Sequence, residues 1–188
     1  MTPAARWPTP DSLMPVVRTD PPHPAVLPGE TLLSRCKVRT QRRGGPGGQH
    51  RNKVATGVFI TEDATGIVGE ATESRSQRTN RRLAMFRLRM HLAVGLRTHA
   101  CEPADELMDV TRRRLINRRL KISMTADDYP AAVALLLDQL HIAGGQPSLV
   151  SAQWNVSTSS ILRLIRGDRG AMALLQSFRR HHGRLPLR

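Results

Sequence analysis

Residues Arg42–Lys53 read RRGGPGGQHRNK, four glycines and a proline enclosed by basic side chains. Glycine frees the backbone from Cβ restriction and proline withholds an N–H. Arg43 to Gly48 therefore supports neither helix nor ladder and is a loop. The segments on either side have regular character. Before the loop, LLSRCKVRTQ alternates imperfectly and reads as a strand or edge strand, with structure beginning near Glu30. After it, QHRNKVAT has room for one helical turn, and ATGVFITED, β-branched and aromatic, reads as a strand. EDATG is a turn and GIVGEATE returns as the second arm of a hairpin. A helix follows from Ser76 to about Leu96. On it Leu83, Phe86, Met90 and Val94 recur at three- and four-residue steps, and Met85, Leu88 and Leu92 widen the face. The glycine loop thus joins two strands of a small sheet crossed by one long helix.

Two standard phosphate cradles do not fit this loop. A P-loop needs a glycine followed directly by Lys-Ser/Thr, but Lys53 lies well past Gly48 and is followed by Val54. A dinucleotide fingerprint needs glycines at first, third and sixth positions; counted from Gly45, the sixth is His50. The loop also lacks a carboxylate and a cysteine, so ordinary acid–base or thiol chemistry has only His50 to draw on.

Charge narrows the partner. The 188-residue chain has a net charge of +14, and only three of its 29 basic residues are lysines. Residues 31–100 carry +10, residues 101–188 carry +5 and residues 1–30 carry −1. Guanidinium groups grip phosphates bidentately and stack on bases, so a nucleic acid is the expected polyanion. No apolar run reaches spanning length and no amphipathic basic anchor precedes the fold, so no membrane partner is expected. Two cysteines, Cys36 and Cys101, make neither a disulfide framework nor a zinc site, and the seven histidines are scattered apart from His181 and His182. No metal or other cofactor is expected. A reducing, cytoplasmic setting follows from the cysteine usage and from the missing apolar signal region.

The spaced elements Gly45-Pro46-Gly47-Gly48-Gln49, Asn52-Lys53, Thr65-Gly66-Ile67-Val68, Arg75-Ser76-Gln77 and Asn80 resemble the catalytic GGQ domain of class I peptide chain release factors and related ribosome-rescue hydrolases. The resemblance covers roughly residues 30–97. It implies hydrolysis of the ester joining a nascent peptide to the terminal ribose of tRNA, in the peptidyl transferase centre of the large subunit. Gly47, Gly48 and Gln49 are then the catalytic residues, the Gln49 backbone N–H serving as an oxyanion donor and its amide orienting water. Arg42, Arg43, Arg51, Lys53, Arg75, Gln77, Arg78 and Arg82 are the implied RNA contacts. Gly45, Pro46 and Asn52 shape the loop. The implied partners are the ribosome, its rRNA and peptidyl-tRNA, engaged by a monomer. The family varies at the position of His50, which argues against its being a base. Arg43 and Gly44 replace the small polar residues usual before Gly-Pro-Gly-Gly-Gln, and Ala64 replaces a proline common before Thr-Gly.

The expected fold is α+β: a small mixed β-sheet with a long packed helix, then an all-α region resembling a helix-turn-helix. Residues 1–28, with eight prolines, are expected to be a disordered arm, residues 29–100 the GGQ domain, 101–130 a basic helix or linker containing TRRRLINRRLK, and 131–188 a helical region. Within the last, AAVALLLDQLHIA follows Asp127-Asp128-Tyr129-Pro130 as an apolar helix. Leu149–Trp154, a turn at Asn155, and a helix capped by Ser157 or Thr158 form the helix-turn-helix, and Ala171–His181 the last helix. Two roles suit this motif. One is docking on nucleic acid with Arg163, Arg166 and Arg169 on phosphates; the other, which the apolar pattern of Leu162 and Ile165 suffices to explain, is a structural bundle. A second Gly144-Gly145-Gln146 lacks the flanking proline and basic residues and is expected to be a helix terminus. Thirty residues ahead of the GGQ domain do not hold a codon-reading domain, so the expected activity is codon-independent rescue of stalled ribosomes. TRRRLINRRLK offers either an RNA-seeking element or an ordinary solvated helix. The alternative function is a non-catalytic ribosome- or RNA-binding protein on a release-factor scaffold.

Overall fold

A computed structural model describes residues 7–42, 55–98, 115–116 and 119–187, with the backbone alone for 115–116. The strands in chain order are β1 (Arg18–Thr19), β2 (Cys36–Gln41), β3 (Gly57–Glu62), β4 (Val68–Ala71), β5 (Arg97–Thr98), β6 (Leu115–Ile116) and β7 (Arg119–Leu120). The helices are α1 (Gly29–Leu33), α2 (Gln77–Gly95), α3 (Tyr129–Ile142), α4 (Pro147–Trp154), α5 (Thr158–Arg166) and α6 (Arg169–His181). Parallel and antiparallel pairings both occur, and the chain is α+β. It divides into two compact units, residues 24–92 and residues 7–23 with those from 93 on.

In the first unit, β2, β3 and β4 form an antiparallel sheet in that order. β2 pairs with β3 from Cys36↔Glu62 to Gln41↔Gly57. The β3–β4 turn closes on the buried Glu62, whose carboxylate accepts the Thr65 N–H at 2.8 Å and its hydroxyl at 2.6 Å. Gly66 takes a φ of +71°, which a side chain would resist. Leu32 and Leu33 belong to α1 rather than to the strand read from the sequence: Pro28 precedes the helix and Leu32 is buried.

The buried stripe of α2 differs from the expected one. Asn80 and Ala84 are fully buried beside Leu88, Met90 and Leu92, which are buried as expected, whereas Leu83, Phe86 and Val94 are only half-buried. The reason is close approach to β4. A Cβ on Gly69 would overlap the Ala84 carbonyl oxygen and lie 2.6 Å from Leu88 Cβ. Small residues at the crossing, rather than the bulkiest ones, decide which face turns inward. Arg87 donates to the Glu70 carbonyl at 2.7 Å and pairs with Glu73 at 2.6 Å, and the His91 Nδ1–H donates to the Val68 carbonyl at 2.7 Å. These contacts fasten α2 along β4.

In the second unit, α3 is buried from Tyr129 through His141, and Ile161, Ile165, Leu175 and Phe178 of α5 and α6 complete an apolar core. The segment expected to be a disordered arm is ordered from Trp7 onward. β1 pairs in parallel with β5, His23 is buried, and the Met14 carbonyl accepts from His141 Nε2 at 2.7 Å. Prolines lower the entropy lost on ordering, and helical side chains take up carbonyls of the segment, so low apolar content did not prevent packing. Where a basic helix or linker was expected, β6 pairs antiparallel with β7, Leu115 with Leu120 and Ile116 with Arg119. Residues 111–114 and 117–118 of TRRRLINRRLK lie outside the described residues. Arg97, 1 % exposed, meets Asp138 at 3.1 Å and donates to the Ala93 and Ala134 carbonyls; burial lowers its pKa to about 10, with Asp138 opposing. The second Gly-Gly-Gln closes α3. Gly144 and Gly145 have φ of +58° and +71°, and the Gly145 N–H bonds the Leu140 carbonyl at 2.8 Å.

Candidate nucleic-acid interface

The glycine loop leaves the sheet at a fully paired strand end. Gln41↔Gly57 is the last rung of β2–β3, so Arg42 and Thr56 flank its two roots. Arg43, Gly45, Pro46, Gly47, Gly48, Gln49, Arg51, Asn52 and Lys53 lie outside the described residues. The roots do not. Gly57 is itself tight: an added Cβ would sit 3.0 Å from the Gln41 carbonyl oxygen and 3.1 Å from Thr72 Cγ2.

Asn80 holds the second root. Its Nδ2 donates to the Thr56 carbonyl at 2.7 Å and to the Ser74 carbonyl at 2.8 Å, while its Oδ1 accepts the Ser74 N–H at 2.9 Å. The side chain is fully buried. One amide therefore ties the end of the loop, the approach to α2 and the first turn of α2 together. Sequence reasoning placed Asn80 in a pattern but gave it no task. Its signal was there: an asparagine on the otherwise small and apolar inner stripe of a helix demands partners.

The sequence-predicted basic residues divide on this framework. Arg42, Arg75, Gln77, Arg78 and Arg82 are all exposed. Gln77 and Arg78 line an open groove of about 290 Å³ with Val38, Thr40, Val58 and Arg81. Arg75 and Arg82 do not line it. Arg81 was missed, although it lies three residues past Arg78 and four past Gln77, the spacing that stacks side chains on one helical face. The groove exists because α2 leaves edge strand β2 uncovered: β3 is buried almost throughout while β2 is exposed from Lys37 to Gln41. Val38 and Thr40 share one face of that strand, and Arg39, on the other, stacks its guanidinium 5.2 Å from the Phe59 ring centroid.

The chemistry of this surface is cationic and unreactive. The groove is lined by two arginines, an amide, a hydroxyl and apolar carbon, with no carboxylate. Burial, followed by the charges of Glu62 and Asp63, raises the Cys36 pKa to about 11, which disfavours its thiolate. Arg87 holds the Glu73 carboxyl below its ordinary range. Among the described residues no three His, Cys, Asp or Glu side chains converge to hold a metal ion, and no helix is long and apolar enough to cross a membrane. Such a surface suits a polyanion threaded past the loop roots.

Residues 32–124 match the RF-1 domain family model. The chain is 48 % identical over 56 residues to peptide chain release factor 1 of Dictyoglomus thermophilum, covering 30 % of this chain and 15 % of that protein. It is 48 % identical over 56 residues to the protein of that name from Caldicellulosiruptor saccharolyticus, covering 30 % and 16 %. To the mitochondrial peptide chain release factor 1-like protein of Rattus norvegicus it is 45 % identical over 74 residues, covering 36 % and 20 %. The chain thus spans a fifth or less of the length of these curated relatives.

Proposed function

We propose, from the match of residues 32–124 to the RF-1 domain family model, that the chain hydrolyses the peptidyl-tRNA ester on the ribosome without reading a codon. What carries the reading is the anchoring of the glycine loop, with one root on the last β2–β3 rung and the other on the buried Asn80 amide. A loop with rigid roots and a permissive middle can deliver one backbone N–H to a fixed point. In the proposed step, water attacks the ester carbonyl and the Gln49 N–H donates to the developing oxyanion. Gly47 and Gly48 keep side chains away from that approach. The acyl–oxygen bond breaks, the ribose oxygen takes the proton, and the peptide leaves as an acid. No base from the protein is required where RNA hydroxyls surround the site. Arg42, Arg43, Arg51, Lys53, Arg75, Gln77, Arg78 and Arg82, joined by Arg81, neutralise rRNA phosphates beside the loop.

The test uses ribosomes carrying labelled peptidyl-tRNA with a truncated message, a sense codon or a stop codon in the A site. Wild type is expected to release peptide with the truncated message, and Gly48→Ala and Gln49→Ala to lose most of that release. Release that requires a stop codon would remove the codon-independent part. Ribosome binding without any release would favour a non-catalytic scaffold instead.

A further inference from the structure

We propose that the outward face of α5, with the flanking strand β7, is a second nucleic-acid site that binds double-helical RNA along its sugar–phosphate backbone. The geometry is that of a helix-turn-helix. The eight-residue α4 ends at Asn155, which adopts the left-handed conformation at φ 51° and ψ 39°. Ser151 Oγ donates to the Val156 carbonyl at 2.6 Å across the turn. Ser157 caps the nine-residue α5 by accepting the Ser160 N–H at 3.3 Å. Val150, Trp154, Val156, Ile161 and Leu164 are buried between the helices. These inward residues account for the packing, and none of them explains what faces out.

The outward face carries Ser159, Leu162, Arg163 and Arg166, with Ser159 and both arginines exposed and Leu162 half-exposed. No carboxylate occurs from Ser157 to Arg166. β7 adds to this face by a specific clamp. The Leu120 N–H donates to Ser160 Oγ at 2.7 Å, and Arg163 Nη2 donates to the Leu120 carbonyl at 2.6 Å. Leu120 itself is buried, so its neighbours Arg119 and Lys121, both exposed, are held alongside α5. A helix bearing hydroxyls and guanidiniums is thereby flanked by a basic strand. That charge pattern complements a polyphosphate and leaves no acidic group on the helix to repel it.

The residue types select the backbone of the duplex. The α5 face has no amide or carboxylate for adenine or cytosine, and the guanine edge that arginine reads lies in a major groove too deep and narrow for side chains in A-form RNA. Serine hydroxyls and arginines instead contact phosphates and 2′-hydroxyls, which the shallow minor groove of an A-form helix displays. The choice of RNA over DNA rests on the ribosomal reading above; the cationic face itself does not.

The experiment uses the full chain, without ribosomes. Fluorescence anisotropy follows binding of a labelled RNA stem of about 16 base pairs, of a second stem of unrelated sequence, and of the matching DNA duplex, over a range of salt. The double variant Ser159→Glu with Arg166→Glu is expected to weaken both RNA stems alike, by about tenfold or more, and to flatten the salt dependence. Lys121→Glu, which leaves α5 intact, should weaken binding in the same direction and guards against misfolding of the double variant. Unchanged affinity in both the α5 and the β7 variants would overturn the proposal, as would tighter binding of DNA than of RNA. Peptide release reads the glycine loop and stem binding reads α5, so failure of one reading is distinguishable from failure of the other.

Discussion

Replacing Asn80 by alanine probes whether the loop root positions the loop. The substitution removes three hydrogen bonds of 2.7, 2.8 and 2.9 Å from a fully buried site. At about 1 kcal/mol net for each, the clamp contributes about 3 kcal/mol. The Thr56 and Ser74 carbonyls and the Ser74 N–H also lose their partner in a dry site, which adds to the cost. An energy of ~3 kcal/mol corresponds to a factor of ~100 in the population of the clamped root. Asn80→Ala is therefore expected to lower single-turnover release about 10- to 100-fold at saturating protein, within the bound set by that population. The concentration for half-saturation should change little, because the exposed arginines are untouched. Asn80→Asp sharpens the test: it keeps the acceptor for the Ser74 N–H but turns an oxygen toward two carbonyls, and should be as defective as alanine. The assay pairs peptide release with a melting curve for each variant. Asn80→Ala that melts lower yet releases peptide at the wild-type rate would refute the positioning role. A defect confined to ribosome affinity would refute it equally.

Three further outcomes follow from the packing and the charges. Gly69→Ala should destabilise the first unit by about 1–3 kcal/mol in denaturant unfolding, since the new methyl meets α2 backbone that cannot rotate away. Arg78→Glu with Arg81→Glu should weaken ribosome binding by about tenfold or more and reduce the slope of log affinity against log salt by about two, read by filter binding from 50 to 300 mM salt. Burial, ahead of the Arg97 charge, holds the His23 pKa below its ordinary 6.5, and burial does the same for His141. Their neutral forms stabilise the fold above pH 6.5, and that contribution is lost as pH falls from 6.5 through the lower folded values. The melting temperature should drop on acidification from pH 7.5 to 5, and His23→Gln should flatten that dependence.

The legible parts of this fold were those set by local chemistry. Gly66 in the β3–β4 turn, Asn155 in the left-handed turn and Ser157 as a cap each stand where sequence placed them, because a turn or cap is decided within a few residues. The illegible parts were decided at a distance. The inner stripe of α2 follows Gly69, a residue on another element, so helical periodicity alone chose the bulkier face. Order in residues 7–23 depends on partners such as Leu96 and His141, far along the chain. At the loop root the same division holds: the arginines were readable as charge, whereas the grouping of Arg81 with Gln77 and Arg78 against Val38 needed the sheet edge to be seen.

The tripeptide Gly-Gly-Gln occurs twice, and its two settings show what the tripeptide alone can mean. At residues 144–146 both glycines are buried, both have positive φ, and their carbonyls accept from Arg184 at 3.1 Å and Arg179 at 2.7 Å. An added Cβ on Gly145 would overlap Arg179. There the glycines let a helix end and the chain turn, and their own N–H and carbonyl groups are all used internally. Such a segment has nothing left to offer a substrate. At residues 47–49 the same letters lie between roots that are themselves fixed, by a strand rung on one side and the Asn80 amide on the other. Arginines and a lysine flank them in the sequence. Function at a glycine-rich tripeptide therefore follows from how its ends are held and from what charge surrounds it.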